Sequence, residues 1–309
     1  MPDKKSIVVV GSINMDLVAI APHIPAPGET ILGTDFQMHP GGKGANQAVA
    51  VARLGCPVQM IGQLGNDGMG EQLRNYLKAQ GVDTTAIGTA SGSSGVALIT
   101  VSSEGENSIV VSPGSNSQVS PALLDQNIDR IRNAGLVLTQ LEIPLETVLH
   151  LAEICSEAKV PLILDPAPAQ KLPDALLSKI AWFTPNETEA AFYLGHALKD
   201  SAYDAAAHEL IKKGPANVIL KLGAKGSYFA QKSGSEAQIK ARVVNAIDTT
   251  AAGDAYNGAF AAALTLGQSK LEAAMFASAA AAISVTRQGA QSSMATAAEV
   301  EQMLEGTWK

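Results

Sequence analysis

The feature that most restricts how this chain can fold is an alternation of two hydrophobic periods. Short apolar runs occur at IVVVG from Ile7, VQMIG (58–62), LVLTQ (136–140) and PLILD (161–165). Between and after them lie stretches with helical spacing: ANQAVAVARLG (45–55), GMGEQLRNYLKAQG ending at Gly81, ETVLHLAEICSEA and NETEAAFYLG. Strands alternating with helices predict an α/β fold whose doubly wound, mostly parallel sheet is flanked by helices. Sheets of this kind bind ligands beyond the carboxyl ends of their strands.

Two segments break the rhythm. Residues 16–40 place LVAIA and TILGTDF around a proline-rich turn, and GVALITVSSEGENSIVVS (95–112) alternates as a hairpin about SSEGEN. With no helices to cover them, these strands are expected to form a small separate sheet, either a flap over the site or an edge extension. No linker or repeat divides the chain, so one domain is expected over 1–309.

Composition removes several functions. With 46% hydrophobic and 17% charged residues in 309, the chain reads as globular. Aromatics at 4% and a net charge of -7 argue against a nucleic-acid-binding face. Cys56 and Cys155 sit in apolar contexts and read as buried, reduced thiols, and the five histidines fall at no ligand spacing, which disfavours zinc. Asn14 and Asp16 interrupt the first apolar run with no cleavage site after it, so it reads as a strand rather than a signal peptide. No apolar run reaches membrane-spanning length, so no membrane association is expected and the cytoplasm is the expected location.

The chemistry concentrates in two stretches. In DTTAAGDAYNGAF (248–260), small residues lead into an alanine-rich helix, whose unpaired N–H groups and dipole attract an anion, phosphate above all. An Asp254 that merely capped this helix would not explain the run of small residues before it. A carboxylate beside an anion-binding helix end can take a proton from a hydroxyl that attacks a phosphoryl group. In PGGKGANQA (40–48), glycines precede a helix with Lys43 and Asn46 at hand. The spacing is not that of a Walker A loop, and GSINMD lacks the dinucleotide fingerprint.

Asn14 and Asp16, spaced i to i+2 near the end of the first strand, project to one side and suit vicinal sugar hydroxyls, although an Asx turn would use them too. Glu142 is expected to end the strand LVLTQLE, as a ligand or as a solvated loop acid. Asn186 and Glu189 suit either a hydrated Mg²⁺ or plain helix-start chemistry. SVTRQGAQSS (284–293) is a loop rich in carbonyls and hydroxyls.

GGKGANQA followed by Gly55 and Gly65, together with DTTAAGDAYNGAFA, resembles the paired signatures of the ribokinase-like carbohydrate kinases of the phosphofructokinase-B type. The NxD at 14–16, NETE at 186–189, KLGAKG at 221–226 and TRQGAQ at 286–291 extend the resemblance over nearly the whole chain. It implies a roughly nine-stranded sheet and a small β-sheet lid that pairs with its counterpart in a homodimer. It implies transfer of the ATP γ-phosphoryl group to the 5-hydroxyl of D-ribose, with Asp254 as general base and Ala251, Ala252 and Gly253 as anion hole. The sugar would be held by Asn14, Asp16, Gly42, Lys43, Asn46 and Glu142, with Asp254 completing the pocket. Asn186 and Glu189 would organise Mg²⁺ or another divalent cation, and Lys221, Leu222, Gly223, Ala224, Lys225, Gly226, Gly253 and Ser278 would line the nucleotide. A potassium ion would be held at Asp248, Thr250, Ser284, Arg287, Gly289 and Ser293, mostly by carbonyls. Lys221 and Ser278 depart from the family pattern, which bears on nucleotide preference. A kinase for another small sugar or a nucleoside, and a non-catalytic sugar-binding regulator, are the competing readings.

Overall fold

The computed structural model describes residues 5–199 and 202–308. Its first half runs β1 (Ile7–Val10), β2 (Asn14–Ala21), β3 (Asp35–Gly41), α1 (Lys43–Arg53), β4 (Val58–Gly65), α2 (Gly68–Ala79), β5 (Ile87–Ala90), β6 (Gly95–Ser102), β7 (Asn107–Ser112), α3 (Pro121–Gln126), α4 (Ile128–Arg132), β8 (Leu136–Thr139) and α5 (Leu145–Ala158). The second half continues with β9 (Leu162–Leu164), α6 (Asp174–Leu177), β10 (Trp182–Phe183), α7 (Glu187–Leu194), α8 (Tyr203–Lys212), β11 (Asn217–Lys221), β12 (Ser227–Gln231), β13 (Glu236–Ile239), α9 (Ala252–Thr265), α10 (Lys270–Ser284) and α11 (Ala297–Glu305).

Nine strands form one sheet in the order β13-β12-β11-β10-β9-β8-β1-β4-β5. All its pairs from β5 to β11 are parallel, and β12 and β13 close one side antiparallel. β1 is buried on both faces: Ile7 and Val9 join the core under α1, α9 and α10, whereas Val8 and Val10 join the core under α3, α5 and α8. The alternation of side chains along one four-residue strand thus feeds two hydrophobic layers.

The alanine-rich helices α9 and α10 lie close together on the first of these layers. Phe260 anchors α9 to the sheet, its ring meeting Trp182 edge-on at 4.7 Å. Truncating it to alanine would cost about 3 to 5 kcal/mol. At Gly258, α9 touches α1: a Cβ there would lie 2.5 Å from the Ala50 Cβ and 2.8 Å from the Gln47 carbonyl oxygen. This close approach sets the start of α9 beside Asn46 and Gln47.

A second sheet of four strands has the order β3-β2-β6-β7. Asn14 and Asp16 therefore belong to β2 of this sheet and not to the carboxyl end of the first strand, because Ser12 and Ile13 break away from β1 and Asn14 pairs with Gly41 and Gly95. TILG (30–33) is not strand, and β3 instead takes in His39 and Pro40, the latter tolerated on an edge strand. One row across this sheet, Met38, Leu17, Leu98 and Val110, leaves Met38, Leu98 and Val110 exposed. Among the described residues, no helix is long and apolar enough to cross a membrane.

Candidate active site

The site gathers where β1, β8, β9 and β11 end and where α1 and α9 begin. The glycines of GGKG make that junction possible. Gly42 has φ +87°, and a Cβ on it would lie 2.7 Å from the Asn14 amide nitrogen; one on Gly44 would lie 2.7 Å from the Ser12 nitrogen. Side chains at either position would push α1 away from the strand ends. Lys43 starts α1, and its backbone N–H donates to Glu142 Oε2 at 3.2 Å, which also accepts from Ser12 Oγ at 2.5 Å. Glu142 itself sits three residues past the end of β8, on a bend rather than in the strand.

Asp254 is the third residue of α9 and is buried. It does not cap its helix. Its Oδ2 accepts from Asn46 Nδ2 at 2.9 Å and its Oδ1 from Gln47 Nε2 at 3.0 Å. Burial is the main force on its carboxyl, which is pushed up to about 6; Lys43 and the two amides oppose the shift, and Asp165 adds to it. The carboxyl is thus made more basic than an exposed aspartate, as a proton acceptor needs.

No side chain caps α9, whose cap residue Ala251 adopts φ 60°. The Ala252 N–H turns back to the Thr249 carbonyl at 3.3 Å. The amides of Gly253 and Asp254, which an α-helix leaves without an internal partner, therefore carry the open positive end. By contrast α2, α7 and α10 each begin with a side-chain cap.

A cleft of about 640 Å³ runs from Lys43 and Asp254 past Asn186, Glu189 and Lys221 to Gly223, Ala224, Gly226 and Ser278. Of the residues expected along a nucleotide, Leu222 faces the core instead, and Lys225 points to Glu187 and lies over the Tyr203 ring. Lys221 reaches back across the cleft floor to Asp165 Oδ1 at 2.9 Å, with both side chains largely buried. Asn186 and Glu189 form a complete capping box on α7, the helix-start reading of NETE, and line the cleft as well. Burial raises Glu189, with Lys221 opposing.

Around Lys43, burial would lower the ammonium, but Asp254, Asp165, Glu142 and Glu189 outweigh it and hold the proton more firmly. Asp16, facing the same space, is pushed up to about 7 by burial and by Glu142 and Asp254. Its Oδ1 is buried without a partner. Carboxylates thus outnumber ammonium groups, and the donors are hard oxygens. Among the described residues, no cluster of three or more acids, histidines or cysteines is placed to hold a metal ion.

The loops expected to bind potassium meet at Asp248, whose carboxylate accepts from the Thr250 and Gly289 amides, each at 2.8 Å. The hydroxyls of Ser284 and Ser293 donate to local carbonyls, and the Arg287 side chain turns away to Glu299. The side chains of Ser284, Ser293 and Arg287 are thus engaged locally.

Several participants were missed from sequence. Asp165 ends PLILD and Gln140 ends LVLTQ, so the strand-end argument applied to Glu142 would have found both. Gln47 adjoins Asn46 in the same motif. Asn116, which donates to Asn14 Oδ1 at 2.7 Å and to the Ile13 carbonyl at 3.2 Å, gave no local signal, nor did the loop from Ala241 to Val244 that walls the cleft.

The pattern of the pfkB family carbohydrate kinases matches residues 4–297. A ribokinase of Haemophilus influenzae is 46% identical, over 98% of this chain and 99% of its own length. A deoxyribokinase of Salmonella typhi is 38% identical, covering 93% of this chain and 94% of its own. The structure of Arabidopsis thaliana ribokinase complexed with ribose and ATP superposes with a TM-score of 0.92 at 34% identity, over 97% of this chain and 99% of that one. Placed on the same fold and carrying the same signatures over nearly its whole length, the chain belongs to the pfkB family of carbohydrate kinases.

Proposed function

We propose that the protein is a cytoplasmic, homodimeric enzyme that transfers the γ-phosphoryl group of ATP to the 5-hydroxyl of D-ribose, giving ribose 5-phosphate and ADP. The observation that carries the chemistry is a buried Asp254 set beside the uncapped start of α9. Asp254 takes the proton of the hydroxyl as its oxygen bonds to the γ-phosphorus and the bond to ADP breaks. The open Gly253 and Asp254 amides face the charge that gathers on the transferred group. Lys43 stands between Asp254, Asp165 and Glu142 and adds a fixed positive charge.

Asn14, Asp16, Asn46 and Glu142 hold the sugar. Asn116 occupies the Asn14 carbonyl oxygen and so leaves the Asn14 NH₂ to donate to a sugar hydroxyl. Asp16, with an unpartnered buried oxygen, accepts from one. Gly223, Ala224, Gly226 and Ser278 line the nucleotide, and Asn186 and Glu189 stand by its phosphates. Asn186 and Glu189 would hold a divalent ion that comes with the nucleotide, and the ion would neutralise phosphate charge. The carbonyls of the loops joined by Asp248 would take a potassium ion that firms the turn before α9. The four-stranded sheet is the lid, and closing it excludes water that would otherwise hydrolyse ATP; its exposed row of Met38, Leu98 and Val110 is the face a second copy's lid covers.

The deoxyribokinase relative favours one competing reading, a preference for 2-deoxyribose. ADP release with Mg-ATP, measured over D-ribose, 2-deoxy-D-ribose, other pentoses, fructose and adenosine, with and without potassium, tests the proposal. Ribose-dependent turnover that rises with potassium is the expected result. Preferred turnover of 2-deoxyribose would overturn the substrate assignment, and no turnover with any of them would favour a non-catalytic sugar-binding protein.

A further inference from the structure

Gln47 is fully buried, one residue after Asn46 in α1. Its NH₂ donates at 3.0 Å to Asp254 Oδ1 and at 3.0 Å to Asp165 Oδ2, and its own Oε1 accepts from Gln140 Nε2 at 2.6 Å. Two carboxylates on one side can be met only by the NH₂ end of the amide, so Oε1 must face Gln140, and Gln140 must present its own NH₂. Gly11 makes room for this: a Cβ on it would lie 2.1 Å from Gln140 Oε1. The glycine of GSINMD, which serves no dinucleotide, therefore admits the residue that orients Gln47.

We propose that Gln47 and Gln140 are positioning residues that fix the direction of the Asp254 carboxylate and keep it apart from Asp165. This rests on the reading of Asp254 as the base. Without Gln47, Asp254 would be held by Asn46 alone and would face Asp165 with no donor between them. The other charged groups turned toward Asp254 are Lys43 at the start of α1 and Asp16 on β2. Neither replaces an amide that serves both carboxylates at once. Lys221 supports the far side of the same chain by pairing with Asp165.

The decisive variant changes one group. Gln140→Glu, when ionised, removes the donor that anchors the Gln47 oxygen and sets a carboxylate against it, with the packing volume unchanged. Expected are a kcat about 10²-fold lower, a far smaller change in sugar binding measured without nucleotide, and an acidic limb of kcat/KM moved up by about one pH unit. Gln140→Met removes the anchor without setting a charge against the amide and should shift both quantities in the same direction by less. A thermal melt checks folding. If Gln140→Glu does not fold, Gln140→Met carries the test, with a several-fold loss of kcat and an upward shift of the limb expected. A wild-type kcat and an unshifted limb in folded Gln140→Met, whose side chain cannot donate in any protonation state, alongside an inactive Asp254→Asn, would overturn the proposal. Normal turnover of Asp254→Asn would instead sink the assignment of the base.

Discussion

At the end of the cleft assigned to the sugar, Asp16, Asn46, Glu142 and Asp254 come from four separate segments, and three of them are fastened by buried or partly buried hydrogen bonds to Ser12, Gln47 or one another. At the end assigned to the nucleotide, the walls are mostly small or apolar residues, Gly223, Ala224, Gly226, Ala241, Val243, Val244, Ala281, Ala282 and Val285, with Arg242 beside them and Lys221 and Glu189 at the inner edge. One end is defined by polar side chains whose directions are fixed in advance, and the other by small residues that leave space and backbone. Fixed donors and acceptors discriminate strongly among small hydroxylated ligands, because a wrong ligand strands a buried polar group. A wall of small residues discriminates mainly by shape. The contrast predicts stringency toward the sugar and tolerance toward the nucleotide.

The largest test of this contrast is Asp254→Asn, which should lower kcat by ~10² to 10⁴ while the sugar still binds. Single-turnover kinetics with a sugar titration would show it, and near-normal turnover would remove Asp254 from the chemistry. Asn116→Ala should come next. With Asn14 free to turn over, the kcat/KM preference between ribose and 2-deoxyribose should fall about tenfold, and an unchanged ratio would mean that Asn14 needs no support.

On the nucleotide side, Lys221→Met combined with Asp165→Asn should raise KM for ATP several-fold and alter KM for ribose little. The single Lys221→Met change should also melt earlier, because Asp165 then remains buried without its ammonium partner. If both KM values moved together, the two ends would not be separable. The smallest effect concerns stability. A carboxyl whose proton affinity is raised on folding, as that of Asp16 is to about 7, contributes stability below its unfolded value that is lost as pH rises through about 7. Asp16→Asn should therefore narrow the fall in Tm between pH 5 and pH 8 by a few degrees, read from thermal melts at both.

The same contrast governs what could be read without coordinates. Asp254, Lys43 and Asn46 stand in stretches where glycine, small residues and a helix start are adjacent in sequence, so a local argument reaches them. Leu222 and Lys225 stand in such a stretch too, yet the fold turns one into the core and the other toward Glu187. A glycine-rich run announces a backbone that approaches a ligand but does not say which neighbouring side chains come with it. Asn116 lies 102 residues from the Asn14 it orients, and nothing in PGSNSQ marks it.

The sequence by itself determined the doubly wound α/β fold, the two buried faces of its strands and the two glycine-bearing helix starts, because apolar period, helix-start chemistry and glycine conformation are properties of neighbours along the chain. Only the tertiary structure decided that Asn14 and Asp16 belong to the second sheet, that α9 meets α1 at Gly258, and that the Gln47 amide stands between Asp254 and Asp165. These depend on contacts between residues 118 or more positions apart in the case of Gln47. Their geometry is fixed by how closely two helices and a strand end can pack, a quantity that no local pattern encodes.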